Sequence, residues 1–212
     1  IKSPSFFINF IFSAAKLAFS VSLYTMTALN SDSLYLDNEN RQPLYDIFHE
    51  VLPHNGYIFL VSDMCLIFVF LWSIYHPIRD FIILGDNKRA FIYLKYVFDR
   101  MSMGFLISST MHSFTIIPPA GRGITKIHLN PQPKSTDKML SNHVLNFAIF
   151  VQVLYMYGKI CKIFKWVMVL AFSVSVIASR EHYSLDVITS WWVLYAFHCC
   201  DDFHEKDQEK IK

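Results

Sequence analysis

The stretch Ser179-Arg180-Glu181-His182-Tyr183-Ser184-Leu185-Asp186 places a histidine and an aspartate, His182 and Asp186, four positions apart. On a helix that spacing puts both on one face. A carboxylate one turn from an imidazole accepts its N–H, fixes the tautomer and leaves the other nitrogen free to attack. The same residues would also serve a plainer purpose, as an interfacial Arg, Glu and His ending a membrane span. A second histidine, His143 in Ser141-Asn142-His143, tips the balance toward chemistry.

The elements that must position these residues are apolar blocks. Of the 212 residues 53% are hydrophobic, with 20 Phe and 11 Tyr, and the apolar residues fall in runs near membrane-spanning length. The chain reads as an all-α membrane protein, a single membrane domain over residues 1–212 built as a six-transmembrane-helix bundle. The expected spans are approximately 6–29, 57–75, 98–117, 142–158, 164–180 and 184–200. The first run is too long for a signal peptide. Lys16 interrupts it and is expected to face the bundle or to snorkel. Asp63 in the second span is a functional candidate or a hydrogen-bond partner of a neighbouring helix. Pro118-Pro119 end the third span. A net charge of +2, scattered along the chain, gives no nucleic-acid footprint. The four cysteines lack zinc-like spacing, and no metal-ligand set or cofactor motif is visible. Cys199-Cys200 offers a palmitoylation site, or an unmodified pair that is buried or faces lipid.

Orientation follows from Lys and Arg in the short turns. Residues 76–89 and 158–165 each carry three, which makes their side cytoplasmic, although the 120–142 connection carries four. The 30–56 and 120–142 connections then face the lumen or exterior. His143 opens the fourth span at that face, the chain descends and turns, and the fifth span returns to it. One helical hairpin therefore brings His143 to the same membrane face as His182 and Asp186. The active site is expected to be lumenal or exoplasmic.

Ser-x-His followed two spans later by Arg-x-His-x-x-x-Asp resembles the sphingolipid synthases, the membrane branch of the lipid phosphate phosphatase (PAP2) superfamily that includes sphingomyelin synthase. Glu181-His182-Tyr183-Ser184-Leu185-Asp186-Val187-Ile188 is similar to the family's last motif, His-Tyr-(Thr/Ser)-x-Asp-Val. Asp137 with Ser141-Asn142-His143 matches the preceding Gly-Asp-x-x-x-Ser-Gly-His, with Thr136 and Asn142 where the family has Gly. Pro43-Leu44-Tyr45-Asp46 and Thr115-Ile116-Ile117-Pro118 add weaker similarities. An aromatic-Arg pair before Thr115, frequent in the sphingomyelin branch, has no convincing counterpart.

The resemblance implies a mechanism. His182, oriented by Asp186, would attack the phosphorus of a phospholipid such as phosphatidylcholine, and His143 would protonate the departing diacylglycerol oxygen. The phosphohistidine would pass its head group to ceramide, with His143 now acting as base. Arg180, Asp137, Ser141 and Tyr183 stand beside these three as expected substrate contacts. Arg180 and Lys138 are candidate donors to the phosphoryl group by position alone, Arg180 serving equally well as a lipid-phosphate anchor with no catalytic part, and Asp137 fits better as an orienter of His143 or of its loop. The implied partners are membrane lipids, a phospholipid donor and a ceramide acceptor, with a homo-oligomer left open. The implied location is the Golgi, the endoplasmic reticulum or the plasma membrane. Choline transfer is the expected activity. Alternatives are ceramide phosphoethanolamine or inositol phosphorylceramide synthesis, a PAP2-type lipid phosphatase and, further off, a non-catalytic membrane scaffold. The phosphatases usually carry Lys-x-x-x-x-x-x-Arg-Pro before Ser-x-His, a motif missing here.

The topology is open to direct test. Cysteines placed at Asn38 and Ser135, with native thiols blocked, should label with an impermeant reagent from the lumenal side. Labelling of either only after cytosolic permeabilisation would overturn the orientation.

Overall fold

The computed structural model describes residues 4–36, 45–52, 56–85, 87–114, 140–180 and 182–209. These form seven α-helices: α1 (Pro4–Leu36), α2 (Ile47–Val51), α3 (Gly56–Ile82), α4 (Asn87–Phe114), α5 (Asn142–Met156), α6 (Lys162–Ala178) and α7 (Ser184–Glu209). No strand occurs among the described residues.

α5 is the axis of the core. Val144, Leu145, Phe147, Ile149, Phe150, Val151 and Leu154 are buried and point in every direction around the helix. A helix apolar all round needs neighbours on all sides, and α3, α4, α6 and α7 supply them. Phe147 stacks on Phe172 of α6 with ring centroids 4.0 Å apart, and Phe70 of α3 meets Phe150 at 5.1 Å. Hydroxyls add polar ties between helices: Ser62 to Ser175 at 2.9 Å, and the Trp191 indole N–H to Ser173 at 3.0 Å.

α1 packs along α4. Ser13 and Ser20, seven apart, are buried on the facing stripe, where small side chains let the backbones approach. The Ser20 hydroxyl lies 3.2 Å from that of Ser102, and Phe10 meets Phe91 and Phe98 at 4.8 and 5.5 Å. Lys16, expected to face the bundle or to snorkel, is exposed at the edge of the α1–α4 contact. Its ammonium is 3.7 Å from Asp99, which Lys95 also contacts at 2.5 Å.

The outer surface is apolar. Phe7, Ile11, Phe12, Phe19 and Met26 of α1 are exposed, as are Leu60, Met64, Ile67, Phe68 and Leu71 of α3. Soluble proteins rarely present so much contiguous apolar area, so this is a membrane protein. Among the described residues two segments are long and apolar enough to cross a bilayer, Phe7–Asn30 and Leu60–Ile82. The expectation of six spans is met only in part. α5 and α6, at 15 and 17 residues, fall short of the ~20 that a hydrocarbon core requires. α4 carries Lys88, Arg89, Lys95, Asp99 and Arg100 among its residues. The third span, expected over 98–117, lies within α4 only as far as Phe114, and 115–117 fall outside the described residues.

Two turns are shorter than expected. α3 continues through Pro77 to Ile82, because His76 and Asp80 are buried at that end. Asp80 is 2.9 Å from the Arg79 guanidinium and 3.7 Å from that of Arg89, and His76 stacks on Tyr157 at 5.1 Å. That packing outweighs the hydrogen bond a helical proline forgoes. Lys165 likewise leaves the turn for the first turn of α6. There it is buried, donates to Gln152 at 2.9 Å and lies over the Trp166 ring at 4.3 Å. The exposed basic residues of the α5–α6 turn are thus Lys159 and Lys162.

Gly104 marks the closest approach of α4 to the axis, where an added Cβ would run into Cδ2 of Leu145. Leu145 is buried in the core and cannot retract freely. Gly104→Val should therefore destabilise the detergent-extracted protein by roughly 1–3 kcal/mol. Leu145→Ala should recover part of that loss in the double variant, read as Tm.

Candidate active site

The start of α5, the end of α6, the start of α7 and the short α2 converge at one end of the bundle. The connection between α6 and α7 does the turning. α6 ends at Ala178, Ser179 caps it, and Arg180 then adopts the left-handed conformation with φ +59°. That position after a helix usually holds glycine, and a side chain there costs about 1–2 kcal/mol. The turn swings His182 back over the first turn of α7.

His182 and Asp186 come together, but α7 begins only at Ser184, so His182 reaches the carboxylate from the turn before the helix and not along a shared helical face. Nδ1 of His182 lies 3.4 Å from Oδ2 of Asp186, and the same oxygen accepts the Tyr183 backbone N–H at 3.1 Å. Asp186 is wholly enclosed, and its Oδ1 meets no hydrogen-bond partner among the described residues. With Nδ1–H directed at the carboxylate, Nε2 of His182 carries the lone pair. It faces His143 Nδ1 at 3.4 Å, with the two rings inclined by 59°. Two histidines 39 positions apart and one carboxylate thus form a single line.

The remaining expected contacts fall in three groups. Ser141 is fully buried as the N-cap of α5, its hydroxyl accepting from Val144 N–H at 3.4 Å. Its backbone N–H lies 2.9 Å from the Ser190 hydroxyl and 3.2 Å from the Asp186 carbonyl. Ser141 therefore ties the helix bearing His143 to the turn bearing Asp186. Tyr183 is buried and stacks on His49 with centroids 5.8 Å apart. Arg180 donates from Nη2 to the His49 carbonyl at 2.6 Å, while its buried Nε meets no hydrogen-bond partner among the described residues. Asp137 and Lys138 lie outside the described residues, as do Glu181, Pro43, Leu44 and Thr115–Pro118. Asn142, where the resembled motif has Gly, directs its amide to Ser108 of α4 at 3.3 Å and so adds a tie to a neighbouring helix.

Two residues that the sequence did not single out individually come from α2. Asp46, within the Pro-Leu-Tyr-Asp similarity, caps two helices at once. Its carboxylate accepts from Phe48 N–H at 2.9 Å, from Ser184 N–H at 2.6 Å and from the Ser184 hydroxyl at 3.0 Å. His49 is buried one turn later, with Nε2 3.0 Å from the His182 carbonyl. For Asp46 the sequence signal was the Pro43-Leu44-Tyr45-Asp46 similarity; His49 carried none. A cleft of about 300 Å³ opens beside Asp46 and Asp186, lined also by Tyr45, Ile47, Tyr183, Ser184 and Leu185. It borders the carboxylate end of the line. Among the described residues no group of histidine, cysteine and acidic side chains is arranged to hold a metal ion.

Residues 135–202, which contain α5, α6 and the membrane-proximal part of α7, match the family model described as PAP2 superfamily C-terminal. The chain is 37% identical to phosphatidylinositol:ceramide inositolphosphotransferases of Oryza sativa subsp. indica and japonica, over 71% of its own length and 53% of theirs. Similarity to phosphatidylinositol:ceramide inositolphosphotransferase 2 of Arabidopsis thaliana is 34% over 68 residues, 31% of this chain and 22% of that protein. The chain spans about half the length of the rice relatives it matches.

Asp46 makes the brace testable by pH. Burial works against its charge, but hydrogen bonds from the Ser184 N–H and hydroxyl and from Phe48 N–H outweigh that and hold its carboxyl below the usual range; nearby His49 adds to the effect. A carboxyl lowered in the folded state contributes stability that is complete above its unfolded value and lost as pH falls through the folded one. Asp46→Asn should cost about 1 kcal/mol at neutral pH, the worth of a helix cap. The gap to wild type should close on acidification below about pH 4, read as Tm of the detergent-extracted protein.

Proposed function

We propose that this chain, which belongs to the PAP2 superfamily and resembles its sphingolipid synthases, transfers a phospho-head-group from a phospholipid to ceramide through a phosphohistidine on His182. The observation that carries the reading is the line Asp186–His182–His143, with two 3.4 Å contacts, inside the segment that matches the superfamily.

His182 Nε2 attacks the phosphorus, and the bond from phosphorus to the diacylglycerol oxygen breaks. His143 supplies the proton that this oxygen needs to leave. Asp186 holds the attacking ring and stabilises the positive charge it acquires. In the second half His143 takes the proton from the primary hydroxyl of ceramide. The oxygen attacks the same phosphorus, and the P–N electron pair returns to His182. The product is a phosphodiester of ceramide, and both histidines regain their first states. Arg180, whose Nε meets no hydrogen-bond partner among the described residues, and Lys138 are the donors assigned to the phosphoryl oxygens.

The geometry adds a requirement. An in-line transfer needs about 3 Å from Nε2 to phosphorus and about 3 Å from the leaving oxygen to His143. The two nitrogens, 3.4 Å apart here, must therefore separate as substrate enters. His182 is buried and bound to Asp186, whereas His143 is half-buried, so His143 is the ring that yields.

The named activity of the rice and Arabidopsis relatives makes phosphatidylinositol the preferred donor and inositol phosphorylceramide the product. This departs from the choline transfer expected from the last motif, which remains the second reading. The site lies at the end of the bundle away from Lys159 and Lys162, on the lumenal or exoplasmic side of a multi-pass protein of the Golgi, endoplasmic reticulum or plasma membrane. Membrane lipids are its partners, and no metal or cofactor enters any step.

Vesicles containing the protein, labelled ceramide and one donor each of phosphatidylinositol, phosphatidylcholine or phosphatidylethanolamine test this. Labelled inositol phosphorylceramide should form. Exclusive choline or ethanolamine transfer would move the head-group assignment, and release of free phosphate compounds without ceramide product would make it a phosphatase. His182→Ala and His143→Ala should both lose turnover, and Asp186→Asn should fall by orders of magnitude, up to about 10⁴-fold. A donor with a p-nitrophenol leaving group needs no general acid and should still label His182 in His143→Ala, but not in His182→Ala. Wild-type turnover by the double histidine variant would refute the reading.

A further inference from the structure

We propose that His49 is a positioning residue of this site: its ring and its backbone carbonyl together hold the turn that aims His182. This rests on the phosphohistidine reading above and adds to it a residue lying outside both histidine motifs.

The Arg180 backbone N–H bonds to the Ile177 carbonyl at 3.0 Å as the chain leaves α6. Arg180 sits at φ +59°, a conformation that a non-glycine residue keeps only when its surroundings enforce it. The enforcing contacts converge on His49. Its carbonyl oxygen accepts the Arg180 guanidinium at 2.6 Å. Its ring Nε2 donates to the His182 carbonyl at 3.0 Å. Its ring face lies on Tyr183 with centroids 5.8 Å apart and 24° between planes. One buried residue thus touches Arg180, His182 and Tyr183.

α2 has five residues, too short to persist as an isolated helix. It is held from outside: Asp46 at its N-cap accepts both Ser184 donors at the start of α7, 138 positions away. The same carboxylate has an oxygen 4.0 Å from His49 Nε2, beyond hydrogen-bond reach but close enough to favour a ring oriented with N–H toward this side. α2 therefore behaves as a strap across the turn, fastened at Ser184 by Asp46 and at Arg180 and His182 by His49. By holding the His182 carbonyl, His49 fixes the backbone from which the imidazole reaches Asp186. If the His49 N–H is lost, the turn keeps its packing but loses the contact that fixes the carbonyl of the nucleophilic residue. A displacement near 1 Å at a reacting atom costs on the order of 100-fold in rate.

The test uses the full chain in vesicles with the donor that supports turnover. His49→Leu keeps the bulk and removes the donor; His49→Gln carries an amide N–H at the distance of Nε2. His49→Leu should lose about 10- to 100-fold in kcat, with KM for the donor lipid unchanged and Tm near wild type. His49→Gln should recover most of kcat. Wild-type kcat in His49→Leu overturns the proposal, and so does equal loss in Leu and Gln, which would mean that only ring packing matters. Should His49→Leu not extract as a monodisperse protein, His49→Asn, whose amide is too short to reach the carbonyl, replaces it with the same expectations. His182→Ala is run beside them. An inert His182→Ala with a wild-type His49→Leu sinks only the strap, whereas an active His182→Ala sinks the phosphohistidine reading itself.

Discussion

A carboxylate sealed from solvent governs this end of the bundle. Asp186 is wholly buried, and an ion in such a place costs several kcal/mol unless hydrogen bonds and a partner offset it. One oxygen has both, in the Tyr183 N–H and the His182 ring. The backbone of the same residue is also engaged, its carbonyl meeting the Ser141 N–H and the Ser190 hydroxyl. Asp186 is thus the point where the α7 start, the α5 start and the nucleophile candidate are joined. Moving it would disturb all three at once.

Around that point the bundle supplies rigidity through a graded polarity. α5 is enclosed by apolar side chains along its length, so its first turn, with Ser141 and His143, is fixed by packing below it. At the far end the polar cluster of Arg79, Asp80, Arg89 and Tyr157 anchors the return of α3, α4 and α5. The outer faces of α1 and α3 remain apolar and suit lipid. A phosphoryl-transfer site for lipids needs this combination: a solvated or interfacial end with fixed polar groups, set on helices whose sides are wetted by acyl chains. α2 closes the arrangement from a distant part of the chain, which is why its loss would be felt at the nucleophile rather than in the core.

Sequence alone determined a good deal here. The apolar blocks fixed an all-helical membrane protein, because their length and composition exclude other ways of satisfying the backbone. The four-residue spacing of His182 and Asp186 kept the two near each other, although His182 lies in the turn before α7 and not on its face. The helical hairpin 142–178 brought His143 to them, since consecutive antiparallel helices return to the same end. Periodicity could not say how far each helix runs. Pro77 and Lys165 looked like turn residues, yet burial of His76 and Asp80 and the Gln152 contact of Lys165 drew both into helices. Only the tertiary structure decided what Asp46, His49, Ser141 and Ser190 do. Their roles depend on contacts across 49 to 138 positions, between a side chain and a distant backbone group that no local pattern encodes. The left-handed turn at Arg180 was equally invisible, because the usual glycine is absent and the conformation is imposed by a carbonyl 131 positions away.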